Sequence, residues 1–371
     1  MTEITLGAMR FRHVWERPHD VLPEDSLENA FQVIQAALDA GINLIETARF
    51  YGKSERLIGR TLPRLRQRRQ DYRLMTKLTP QGDGAAMTRS LEESLERLGV
   101  DHVDFLAVHG INTEADYDVT LRPGGALAAL EHARARGLVG SIGFSTHGRL
   151  PLVLRTVASK AFDFVNFHYY RFRPYLRGVL DLAHALDMGT FIISPNDKGG
   201  RLYTPPEALA ALTAPLPPAV FNERWLLSDP RVHTLTIGLS DPSQLALHLE
   251  AVAPERLWGP VERAVEQRVA AAWVGGPLHR CGDCMACLPC PERIDIPEVL
   301  RFLHLRDMFD MEGFARYRFG LMAPDDTWMP GARADACTRC GQCLPRCPAG
   351  VDIPAVLHHN AHLFPTPARP S

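Results

Sequence analysis

Eight cysteines, the only ones in 371 residues, fall between positions 281 and 347. They form two quartets: Cys281, Cys284, Cys287 and Cys290, followed by Pro291, and Cys337, Cys340, Cys343 and Cys347, followed by Pro348. Residues 1–280 contain none, so the composition changes abruptly there and marks a domain boundary. The N-terminus MTEITLGAMRFRH has no apolar stretch of signal-peptide length, and no apolar run approaches the roughly eighteen residues of a membrane span. A cytoplasmic protein is therefore expected, and in a reducing compartment clustered cysteines point to metal or redox chemistry, not disulfides. Structural zinc takes two separated pairs, often with histidine, and inert core thiols need no regular spacing.

Three cysteines at two-residue gaps plus a Cys-Pro is the bacterial ferredoxin pattern for [4Fe–4S] clusters. The second quartet matches it fully, and the first is one residue short before its fourth cysteine. A cubane needs four converging thiolates, and a C-x2-C-x2-C turn wraps three of them around one face. In two-cluster ferredoxins the Cys-Pro cysteine ligates the other cluster. The resemblance thus implies one cluster on Cys281, Cys284, Cys287 and Cys347, and another on Cys337, Cys340, Cys343 and Cys290. CLPCPERIDIPEVL (287–300) and CLPRCPAGVDIPAVL (343–357) read as a duplicated unit, a cysteine loop followed by a helix opening at Asp-Ile-Pro. The domain resembles dicluster, helix-rich ferredoxin modules, since 46 residues separate the quartets and 301–320 reads as helix.

Residues 4–253 have a different rhythm. Short apolar runs at 4–9, 42–47, 72–78, 102–109, 139–145, 162–168, 190–195 and 232–238 read as strands buried on both faces. Amphipathic segments lie between them. In SLENAFQVIQAALDAG, Ser26 is the expected N-cap and Gly41 the stop; in MTRSLEESLERLG, Met87, Leu91, Leu95 and Leu98 share one face. Eight strands alternating with helices predict an α/β fold, a (β/α)8 TIM barrel. An open doubly wound sheet competes, but no GxGxxG follows an early strand. The expected organisation is a barrel over 1–258, a connecting segment over 259–277 with an alanine-rich helix, and a small helix-rich ferredoxin-like domain over 278–371. The basic run RLRQRRQDYR (64–73) reads as a solvated helix end and loop, and the net charge of −2 gives no global pull toward nucleic acid or anionic lipid.

Glu46, Lys77 and His109 close three consecutive strands, and Tyr51 follows the first of these, at the strand ends where barrel enzymes place their chemistry. GINLIETARFYGKSE, MTKL and SLEESLERLGVDHVDFLAVHG resemble the aldo/keto reductases over most of residues 1–253, and the cysteines resemble the branch of that family with a ferredoxin-type domain. The resemblance implies an Asp–Tyr–Lys–His tetrad, carried here by Glu46, Tyr51, Lys77 and His109, with glutamate replacing aspartate. A tyrosine hydroxyl can protonate the alkoxide left by hydride addition, a lysine cation lowers its pKa, and a carboxylate holds the lysine. Cofactor contacts implied in the same way fall on Ser145, Thr146, Asn166, Ser194, Pro195, Gly238, Ser240 and Gln244, for NADPH or NADH. The loop GLSDPSQL lacks arginine and lysine, and Leu247 and His248 stand where the family often has Glu-Asn.

Two functions follow. One is an NAD(P)H-dependent oxidoreductase reducing an aldehyde, ketone or sugar carbonyl, with two 4Fe–4S clusters for electron transfer to a redox protein partner. The other is an iron–sulfur electron-transfer or scaffold protein with a catalytically weakened barrel. Nicotinamide moves two electrons as hydride and a cluster moves one, so the clusters either serve a docked partner or are structural.

Overall fold

The computed structural model describes residues 2–196, 198, 201–253, 258–275, 281, 284–326 and 328–363. Eight strands, β1 (Ile4–Gly7), β2 (Leu44–Glu46), β3 (Arg73–Leu78), β4 (Val103–His109), β5 (Val139–Ser145), β6 (Phe164–Phe167), β7 (Gly189–Ile193) and β8 (Thr234–Gly238), pair in parallel, each with the next. β8 returns to β1 through Ile4↔Leu235 and Gly7↔Gly238, closing the barrel. Every apolar run read as a strand coincides with one to within two residues at either end, β7 beginning one residue earlier at Gly189, and the open sheet is excluded. Burial on both faces follows from helices outside and packed side chains inside.

The interior is built in layers, because residues two apart on a strand share a face. Leu44, Met75, Ala107, Phe164 and Phe191 form one buried cluster with Phe105 against it. The Phe164 and Phe191 rings stack at 4.9 Å, and Phe105 meets them edge-on at 5.6 and 5.8 Å. Each buried phenylalanine adds about 1.5–3 kcal/mol, and together they fill the barrel below the site. Two residues further along the same strands come Glu46, Lys77, His109 and Asn166.

The first long helix is Glu24–Asp39, so it begins before Ser26, which is fully buried in the first turn and is not the N-cap. Pro23 precedes it, and Glu24 and Asp25 place negative charge at the positive end of the helix dipole. The helix Gly84–Leu98 is capped by Asp83, which accepts from the Ala86 amide at 2.6 Å, and ends at Gly99 with φ +65°. It crosses the helix Ser54–Thr61 at Gly59, where a Cβ would lie 2.1 Å from the Arg97 carbonyl oxygen. Gly59→Ala is therefore expected to lower stability by roughly 1–3 kcal/mol, as overpacking does; an unchanged denaturation midpoint would show the crossing to be loose.

The arginines of 64–73 are paired with acids: Arg64 with Glu28 at 2.6 Å, Arg69 with Asp104 at 2.7 Å, Arg68 with Asp71 at 3.5 Å, and Arg66 with Asp39. The run is a neutralised surface. No helix among the described residues is long and apolar enough to cross a membrane.

The chain divides into two compact units, Met1–Pro195 with Asn222–Leu257, and Asn196–Phe221 with Trp258–Ser371. The segment 196–221, which lies inside the expected 1–258 region, groups by its contacts with the later chain. Within that second unit Arg268 donates to the Leu212 carbonyl at 3.0 Å, tying the helix Pro260–Gly275 to the helix Glu207–Thr213. The rest of the unit is built on helices Ile296–Phe309, Glu312–Leu321 and Ile353–Leu363. Asp295 and Asp352 cap the first and last of these from the two Asp-Ile-Pro repeats, accepting from the Glu298 and Ala355 amides at 3.4 and 3.2 Å. A core of Ile296, Val299, Phe302, Phe319, Ile353 and Leu357 packs against the cysteine loops.

Candidate functional site

At the C-terminal rim of the barrel four side chains converge. Lys77 is 1% exposed and Glu46 is 2% exposed; the lysine ammonium is bonded to Glu46 Oε1, donates to the Tyr51 hydroxyl at 3.2 Å, and donates to the Thr47 carbonyl at 3.3 Å. His109 is buried, and its ring stands edge-on to Tyr51 at 5.7 Å. The backbone explains the assembly. β2, β3 and β4 are neighbours in register, so Glu46, Lys77 and His109 rise from adjacent strands, and the turn after β2 folds Tyr51 back over them. The added methylene of Glu46 does not break the lysine pairing.

Electrostatics sets the protonation states. Burial alone pushes the Lys77 ammonium toward losing its proton, but Glu46 and Tyr51 outweigh it and hold its pKa above the usual lysine value. Burial also raises the Tyr51 phenol, and Glu46 adds to that; Lys77 pulls the other way and does not win. The sequence reading expected lysine to lower the phenol pKa. Its influence has that sign, yet desolvation dominates, and Tyr51 is a protonated, neutral donor.

Two features were not read from the sequence. Thr236 Oγ1 donates to Glu46 Oε2 at 2.8 Å, and its place two residues after Thr234 on β8 was the available signal. Trp15 and Phe50, both largely exposed, stand edge-on at 6.4 Å, and Trp15 lies 6.0 Å from the Tyr51 ring. Trp15 lies in an irregular loop after β1, where sequence periodicity carries no information.

The expected cofactor contacts are of three kinds. Asn166 is fully buried and donates from Nδ2 to Glu46 Oε2 at 3.1 Å, while its Oδ1 takes no hydrogen bond from the described residues. A buried amide oxygen of this kind suits a ligand donor such as a carboxamide. Ser145 and Thr146 bond to the loop that follows β4: Ser145 Oγ accepts from the Gly110 amide at 3.1 Å, and Thr146 Oγ1 donates to the Ile111 carbonyl at 2.7 Å. Ser194 adopts φ +49° and its amide donates to the Thr236 carbonyl, while the Pro195 carbonyl accepts from Asn222 at 3.3 Å. In the β8 loop Gln244 Oε1 accepts from the Ser240 amide at 2.9 Å, so that amide is already engaged. The Arg10 side chain, reaching over from the segment after β1, packs against Gly238, where a Cβ would meet it at 2.8 Å. It brings a cation beside a loop that has none of its own. His248 is held at 2.6 Å by Glu223, and both are fully buried.

In the C-terminal unit, Cys281, Cys284, Cys287 and Cys347 line one cavity of about 270 Å3, closed by Pro297, Leu300 and Ile353. Cys290, Cys337, Cys340 and Cys343 line a second with Cys287, a much tighter space of about 20 Å3. Among the described residues no group of three or more His, Cys, Asp or Glu side chains is placed to hold a metal ion. Cys281, Cys284, Cys287 and Cys347 surround the larger of these two volumes, which has room for a compact cluster. Burial pushes the Cys287 thiol up to about 12, with neighbouring Cys284, Cys343 and Asp295 adding to it, and burial also raises Cys343. Thiolates in such a place need positive charge beside them, which iron supplies. The Val351 amide donates to Cys347 Sγ and the Arg339 amide to Cys337 Sγ, each at 3.4 Å.

Two family models match the chain. The model of the aldo/keto reductase family matches residues 3–205, and that of the 4Fe-4S dicluster domain matches residues 280–351. An aldo-keto reductase of Mycobacterium avium is 30% identical over 220 residues, 58% of this chain and 73% of that one. Another, str7 of Strobilurus tenacellus, is 38% identical over 111 residues, but the match spans only 29% of this chain and 32% of that protein. The holo form of an aldo-keto reductase from Bacillus halodurans superposes with a TM-score of 0.59 at 20% identity, covering 72% of this chain and 91% of its own.

Proposed function

The chain belongs to the aldo/keto reductase family, whose members are NAD(P)H-dependent oxidoreductases, and from that premise we propose that it reduces the carbonyl of a small aldehyde, ketone or sugar, with Tyr51 as the proton donor. The observation that carries this is the chain of contacts from Glu46 through Lys77 to the Tyr51 hydroxyl, flanked by His109. The hydride for the carbonyl carbon would come from NADPH or NADH when bound; everything else falls to the protein. Tyr51 donates its proton to the oxygen as negative charge develops there, and the Lys77 cation stabilises the phenolate left behind. Glu46 keeps Lys77 charged and in place. His109, edge-on to the Tyr51 ring, would help to polarise the carbonyl oxygen. Trp15 and Phe50 form an apolar wall for the substrate body.

Two 4Fe–4S clusters, on the crossed cysteine sets named above, would supply one-electron transfer. Cys284 and Cys340 are exposed, one in each set, so each centre has a side open to a redox protein. A weakened barrel serving mainly as an iron–sulfur scaffold is favoured by one observation, the Gln244 side chain occupying the Ser240 amide.

Titration with NADPH and NADH, followed by turnover of a panel of small aldehydes, ketones and sugars, separates the two readings; absence of both binding and turnover leaves the scaffold. The pH profile adds a signature. A phenol raised by burial stays protonated beyond its ordinary pKa of about 10. As a general acid it must carry its proton, so kcat/KM for reduction should hold through neutral and mildly alkaline pH and fall only above that range. A basic limb below about pH 8 would assign the proton to another group.

A further inference from the structure

Glu46 uses both of its oxygens. Oε1 holds Lys77 on β3, while Oε2 accepts from Asn166 on β6 and Thr236 on β8. One carboxylate on β2 thus links four strands, and all four side chains are at most 6% exposed. A charged carboxylate only accepts, so Asn166 has to turn its NH2 toward Glu46, which fixes the orientation of the amide. Oδ1 is then the group left to serve a ligand, and it takes no hydrogen bond from the described residues.

We propose that Glu46 is a positioning residue for the cofactor as well as for Lys77, with Thr236 as its anchor: through Oε2 it orients Asn166 so that Oδ1 accepts from the carboxamide NH2 of the nicotinamide. This rests on the cofactor reading given above and extends it to Thr236, a residue that has no contact with the nicotinamide in this scheme. Side-chain length is decisive. An aspartate would retract the carboxylate by about one C–C bond, ~1.5 Å, and contacts of 2.8 and 3.1 Å cannot stretch that far and remain hydrogen bonds. Lys77 has a long, rotatable chain and can follow; Asn166 and Thr236 have short ones and cannot. The glutamate is therefore matched to this barrel, and the family's own aspartate is the poorer residue here.

The test is the dissociation constant of NADPH and of NADH for wild type, Glu46→Asp, Thr236→Val and Thr236→Ser, with adenosine 2′,5′-bisphosphate as a probe that lacks the carboxamide. Glu46→Asp and Thr236→Val are expected to weaken both dinucleotides by roughly tenfold or more, the effect of a misdirected buried polar group. Thr236→Ser, which keeps the hydroxyl, should bind like wild type. Adenosine 2′,5′-bisphosphate should bind equally to all four proteins. Equal weakening of that probe would show a structural defect and overturn the proposal, as would dinucleotide affinities within twofold of wild type in both Glu46→Asp and Thr236→Val. Circular dichroism identifies a variant that fails to fold, and either of the two alone still decides. A wild type that binds neither dinucleotide overturns the cofactor reading itself, a separate and recognisable outcome.

Discussion

Tyr51→Phe should lower kcat for carbonyl reduction by about 10²–10⁴-fold, the range removed with a general acid, while leaving the affinity for NADPH or NADH nearly unchanged. The substitution deletes one hydroxyl and keeps the ring, which packs edge-on against His109 at 5.7 Å and Trp15 at 6.0 Å. Lys77 loses a partner at 3.2 Å but keeps Glu46 and the Thr47 carbonyl, so its charge stays compensated. Lys77→Met is the less informative change. It strands the Glu46 carboxylate in the interior, and breaking a buried pair from one side costs about 3–5 kcal/mol of stability, which confounds catalysis with folding. Stopped-flow reduction with Tyr51→Phe isolates the proton donor. Turnover within tenfold of wild type would remove Tyr51 from the mechanism.

Cys347→Ser should reduce the iron content from about eight atoms per chain to about four, although Cys347 belongs in sequence to the second quartet. In space it lines the larger cavity with Cys281, Cys284 and Cys287. Crossed ligation makes a specific demand on double variants. Cys347→Ser combined with Cys281→Ser should lose no more iron than either single variant, because both strike the same cluster. Cys347→Ser combined with Cys340→Ser should lose both clusters. Ligation within each quartet predicts the reverse, so anaerobic iron and sulfide analysis of the two doubles decides between them. A preparation of the wild type holding zinc without sulfide would dispose of both schemes.

The barrel was legible because its strands are continuous apolar runs and its helices carry a face of leucines and alanines, signals made by burial itself. The quartets were legible because thiolate chemistry fixes their spacing. Glu46, Lys77 and His109 were legible as polar residues ending apolar strands. What sequence could not display was the cross-barrel geometry. Nothing local ties Thr236 to Glu46, 190 residues away. Likewise Gln244 reads as a ligand contact in its motif but lies against the Ser240 amide in three dimensions. Ser26 was misjudged for a related reason: serine is a good cap anywhere, and the preceding proline and acids moved the start of the helix. The segment 196–221 groups with the later chain through helix packing that no linear pattern announces.

The stacked phenylalanines beneath the tetrad give the barrel a packed floor. In the proposed reaction a carbonyl entering past Trp15 and Phe50 would leave as an alcohol over the same rim, since the phenylalanines fill the barrel beneath. Turnover can then be throttled at the rim without touching the chemistry, and bulk added at Phe50 would slow arrival and departure together.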